Sequence, residues 1–196
     1  MSELRYFEGK VEQRGEEGRI FGYGAVFDSP SRILFSKDIG EFIETIDKRA
    51  FDSILKDPNL VITANHDKNL LLGRTGSGTA LVGVDERGFW FDVKPPESRA
   101  DILESVKRGD MAGASFSFDV GEEEWTQEGR DLPRRHVRSF KSVFDVGPVT
   151  YPAYLETTVA TRSYQNFMDT VGKRKEVNNL SLEKMKLFFY ENSIII

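Results

Sequence analysis

In the stretch MAGASFSFDV, residues 111–120, the apolar Ala114, Phe116, Phe118 and Val120 alternate with Ser115, Ser117 and Asp119. Successive side chains of a strand point to opposite sides of a sheet, so this period of two marks a strand with one apolar face. Short segments of similar character recur along the chain between Gly, Pro and Asp breaks. Fifteen Phe and seventeen Gly among 196 residues favour an aromatic, sheet-rich core with many tight turns. Strand interiors prefer β-branched and aromatic residues, so two hydroxyls opposite an aromatic face need a reason. Either they are the wet face of the strand, or one is a nucleophile left open by the small Gly113 and Ala114. The strand continues through Ser117, so the stretch is not a strand–turn–helix nucleophile elbow.

Two strands are predicted over 4–13 and 19–27, forming a hairpin around the turn at 14–18. After a polar loop, 42–46 reads as a short strand or turn. Asp47 is placed to cap a helix over 48–57, with Phe51, Ile54 and Leu55 on one face and Pro58 closing it. A buried strand over 60–64 ends in Asn65-His66-Asp67, and further strands fall at 71–75, 79–85 and 88–94. A helix then runs to Arg108, where Gly109 ends it. The opening strand and another at about 134–146 follow, with a polar tip between them. Beyond Thr161 the pattern changes, and 162–196 reads as a partly helical appendage to a domain at 1–161. The expected class is α+β, a mostly antiparallel β-barrel surrounded by a few helices.

Several functions are disfavoured at this level. A net charge of −5 argues against a general nucleic-acid binder, with RDLPRRHVR at 130–138 as the one basic cluster. The absence of cysteine removes disulfides, thiolate-ligated zinc and a thiolate nucleophile together. The opening MSELRYFEGK lacks the apolar region of a signal peptide, and no apolar run is long enough to span a bilayer. A cytosolic protein is expected, or one packaged inside something assembled in the cytosol.

Only His66 and His136 can supply an imidazole. His66 closes an apolar strand, where an ordinary polar terminus is the plain alternative to a catalytic base. A serine nucleophile at neutral pH needs a base such as His, which gives His66 weight. His136 sits among Arg134, Arg135 and Arg138 and reads as part of a basic strand. His66 and Asp67 offer too few ligands for a metal centre. Asp145 interrupts the apolar run Val143-Phe144-Asp145-Val146, and strict alternation puts it on the face of Val143. It either points to water or orients an imidazole through the Nδ1–H.

Six blocks now fall in order: FGYGAVFD at 21–28, ANHD at 64–67, LLGRTGSGT at 71–79, VKRGD at 106–110, GASFSF at 113–118 and FDVGPVTYPAY at 144–154. Together, over about residues 4–162, they resemble the prohead proteases of HK97-type tailed phages. The resemblance implies a serine endopeptidase, similar in fold to the herpesvirus assembly proteases. Such an enzyme cleaves the scaffold segment of the major capsid protein, and itself, inside the procapsid in the bacterial host. It implies Ser115 as nucleophile, His66 as base and Asp145 as the acidic third member, where Glu is more usual. Ser117 stands where the family usually has Gly, as a bystander or a pocket-shaping residue. By the same analogy the oxyanion donors lie in a loop around 147–154, and the molecule is a homodimer. No metal or organic cofactor is required. The rival readings are a non-catalytic capsid-assembly scaffold and a metal-dependent hydrolase using His66 and Asp67.

Overall fold

The structure is a computed structural model, and it describes residues 3–7, 11–15, 18–36, 39–56, 59–129 and 131–150. The expected appendage at 162–196 lies outside these residues. The strands are β1 (Glu3–Phe7), β2 (Glu12–Arg14), β3 (Arg19–Val26), β4 (Leu34–Ser36), β5 (Gly40–Ile46), β6 (Val61–Thr63) and β7 (Leu71–Arg74). They continue with β8 (Ala80–Val84), β9 (Gly88–Val93), β10 (Gly113–Thr126) and β11 (Arg134–Val149). Among the described residues two short α-helices intervene, α1 (Asp52–Leu55) and α2 (Ala100–Arg108), with single 3-10 turns at Thr75–Ser77 and Glu97–Arg99. The class is therefore α+β and dominated by strands.

A long antiparallel hairpin, β10–β11, forms the spine. β1 pairs antiparallel with the free side of β10. The other side of β11 is shared by two parallel partners, β5 opposite its start and β6 opposite its end. Strands β4 and β7 extend the sheet from β5 and β6. A second sheet has the order β2-β3-β9-β8. The expected closed barrel is not formed among the described residues. Closure needs the last strand to pair with the first, and here the ladders stop at β1, β4 and β7 in one sheet and at β2 and β8 in the other.

One apolar core unites the two sheets. Phe51, just before α1, stacks on Phe89 of β9 with ring centroids 4.2 Å apart and also meets Phe116 and Phe140. Phe116 and Phe118 stack at 4.6 Å. This is the apolar face read from the opening alternation. Burying an aromatic side chain contributes more than any other single core residue, which explains the Phe-rich composition.

The predicted first hairpin is corrected. Only β2 pairs with β3, whereas β1 pairs with β10 more than a hundred positions later in the chain. The reason is chemical: Glu3 and Arg5 of β1 are both buried and find their charged partners on β5 and β11. The helix expected over 48–57 shrinks to four residues, preceded by a turn in which the Asp47 carboxylate accepts the Arg49 N–H at 2.9 Å. Helix α2 ends as read, with Gly109 left-handed at φ 82°. No helix among the described residues is long and apolar enough to cross a membrane.

Candidate active site

Three strands converge on one face of the spine. Ser117 of β10 lies opposite Asp145 of β11, and Asp145 lies opposite Val61 of β6. Two rows along, Ser115 lies opposite Gly147. Only glycine fits there, since a Cβ at 147 would lie 1.9 Å from the Thr63 carbonyl oxygen. The tight contact draws the end of β6 onto β11.

His66 is delivered by the turn after β6. Asn65 and His66 are both left-handed, at φ 54° and 57°, a conformation uncommon for residues with side chains. The turn is anchored on the end of β11. Asn65 donates its N–H to the Pro148 carbonyl at 3.0 Å, and its side-chain oxygen accepts the Thr150 N–H at 2.9 Å. So held, His66 Nε2 sits 2.7 Å from Ser115 Oγ and Nδ1 sits 2.9 Å from Asp145 Oδ2. All three residues singled out in the sequence are thus joined in one hydrogen-bonded chain.

The carboxylate has further partners. Thr63 Oγ1 donates to Asp145 Oδ2 at 2.6 Å, and Ser117 Oγ donates to Oδ1. Partial burial works against a charged Asp145, but donors from His66, Ser117 and Thr63 outweigh it and hold the carboxyl below its usual range. A charged carboxylate only accepts hydrogen bonds. His66 must then carry its proton on Nδ1 and present a bare Nε2 to the Ser115 hydroxyl. This tautomer suits proton abstraction from Ser115.

Two expectations about faces change. Ser115 is not on a wet face: it is fully buried, whereas 18% of the His66 side chain is exposed. Nor does Asp145 share a face with Val143. The pairing Phe118–Val143 is followed by Ser117–Asp145, so Phe144 is an extra residue, a β-bulge. Val143 and Val146 both reach the core, Asp145 faces Ser117, and Phe144 is left exposed.

Residues 147–149, expected in a loop of oxyanion donors, belong to β11, and 151–154 lie outside the described residues. His136 is elsewhere on β11, 2.7 Å from Thr45 Oγ1 of β5. The basic run around it does not form one exposed patch, because Arg135 is buried and Arg138 pairs with Glu124 and Asp47. Among the described residues no cluster of three or more His, Asp or Glu side chains could hold a metal ion. Thr63 went unnoticed in the sequence. A threonine ending a strand three residues before a histidine carries no signal of its own.

Residues 6–170 match the family described as caudovirus prohead serine protease. The chain belongs to that family. The match contains every residue of the hydrogen-bonded chain just described, and it agrees with the resemblance carried by the six sequence blocks. No curated protein and no solved structure matches the chain.

Proposed function

We propose that this serine protease works through Ser115 as nucleophile, His66 as general base and then acid, and Asp145 as the group orienting His66. The observation that carries the reading is the continuous hydrogen-bonded chain from Ser115 Oγ through both nitrogens of His66 to Asp145 Oδ2. In this reading Ser115 Oγ attacks a peptide carbonyl carbon while its proton passes to His66 Nε2. The imidazolium, steadied by Asp145, then protonates the leaving amine as the C–N bond breaks. Water, deprotonated by the same nitrogen, hydrolyses the acyl-enzyme and restores Ser115.

The proposed substrate is the scaffold segment of the major capsid protein, with self-cleavage in addition, inside the procapsid. Co-expression with the major capsid protein tests this. The capsid protein should lose its N-terminal segment with the wild-type chain and stay intact with Ser115→Ala. Intact capsid protein in both cases, with no labelling of Ser115 by a serine-directed reagent, would favour a non-catalytic assembly scaffold. The homodimer implied by the herpesvirus likeness belongs to the same proposal. Sedimentation of the active protein as a monomer would remove it.

A further inference from the structure

We propose that Thr63 and Ser117 are positioning residues that fix the Asp145 carboxylate, and through it the His66 imidazole, for proton transfer. The proposal rests on the triad reading above and extends it to two side chains whose hydroxyls donate to Asp145. Asp145 stands on β11 between its two flanking strands, and each strand sends one hydroxyl to it. Thr63 of β6 donates to Oδ2, and Ser117 of β10 donates to Oδ1. The carboxylate is therefore held from both sides, and the remaining acceptor position on Oδ2 is turned to His66 Nδ1. Thr63 and His66 lie on the same short segment and bind the same oxygen, so one turn sets both contacts.

Other charged groups near this face do not substitute for the hydroxyls. His66 is the titratable side chain in contact with the carboxylate. Asp119 is next on this side of β10, and Asp67 follows His66. Arg74 of β7, in the same cross-strand row as Asp145 and Val61, is engaged by Asn59. Removing a hydroxyl would take away a donor that favours the charged carboxyl and leave the carboxylate free to turn from His66 Nδ1. The Asp145 carboxyl would then take up its proton at higher pH, and the contact with Nδ1–H would be lost with it.

The test reads the His66 Nδ1–H proton by NMR in the full chain, with labelled histidine and His136→Gln removing the other imidazole. Ser117→Ala and Thr63→Val should weaken that resonance and raise the pH at which it changes on acidification. Ser117→Thr and Thr63→Ser keep a hydroxyl and should restore both properties. On capsid protein, each hydroxyl-deleting variant should lose about tenfold in kcat with KM little changed, the scale of one hydrogen bond to a charged group. An unchanged resonance and midpoint in Ser117→Ala and Thr63→Val would overturn the proposal. So would equal changes in the conservative pair, which would indicate packing alone. The resonance needs no substrate, so a wild-type chain that fails to cleave capsid protein defeats the protease reading without obscuring this test.

Discussion

At the scale of single residues, the triad reading makes Asp145 responsible for the tautomer of His66. Asn is nearly isosteric, but its amide can offer an N–H to His66 Nδ1 and so leave the proton on Nε2, facing Ser115. In serine proteases of another fold the equivalent change costs on the order of 10⁴ in turnover. Asp145→Asn should here lose at least about 10²-fold in capsid cleavage, with circular dichroism confirming the fold. Asp145→Glu is a separate case, because Thr63, Ser117 and His66 already enclose the carboxylate. One more methylene must press against Ser117, at the cost of about 1–3 kcal/mol typical of overpacking. We expect Asp145→Glu alone to be impaired and to recover in part when Ser117→Gly opens the space, the lost hydroxyl keeping the pair below wild type. A fully active single variant would show that the enclosure is slack. His66→Ala should be inactive and His136→Ala active, since His136 meets Thr45 and Thr126 rather than any residue of the triad.

At the scale of elements, the turn at Asn65-His66 aims the imidazole at Ser115 and Asp145. Its left-handed backbone costs about 1–2 kcal/mol per residue for ordinary side chains, less for Asn and nothing for Gly. Asn65→Gly should therefore keep the turn but lose the clamp on Thr150, while Asn65→Val should lose both. Cleavage rates are expected in the order wild type, Gly, Val, and a Val variant matching wild type would mean the turn does not set the His66 imidazole. The strands that carry the site were legible because Phe116 and Phe118, like Leu60 and Ile62, mark buried positions without reference to partners. The bulge at Phe144 was not, because an extra residue exists only relative to the strand it faces. The same holds for barrel closure and for β1, whose partner strand was decided by Glu44 and Arg135, far away in the chain. Thr63 and Ser117 gain their meaning only once β6, β10 and β11 are laid side by side.

At the scale of the whole molecule, a buried set of charges ties four strands of the large sheet together. Arg5 of β1 donates to Glu44 of β5 through Nε at 2.6 Å and Nη2 at 2.8 Å, and Arg135 of β11 grips Glu3 of β1 at 2.6 and 2.8 Å. Glu123 of β10 completes the set by accepting from Arg135. This arrangement fixes the register of β1 against β10, where Tyr6 lies opposite Ser115 in the ladder, so it bears on the strand of Ser115 as well as on stability. Burial opposes ionisation of Glu3, yet its hydrogen bonds and proximity to Arg135 and Arg5 hold its carboxyl below the usual range. A depressed carboxyl contributes stability that is complete above its unfolded value, about 4.3, and fades as pH falls through the lower folded value. Both arginines are shifted upward and stay charged throughout that interval. Glu3→Gln leaves Arg5 and Arg135 without one anion and should lower stability at neutral pH by about 3–5 kcal/mol, the usual result of breaking a buried pair. As the medium is acidified, wild-type Glu3 is itself neutralised, so the gap between the two proteins should narrow. Urea unfolding at neutral pH and at about pH 3 measures it. A gap that stays constant over this interval would mean that Glu3 acts through its shape and not its charge.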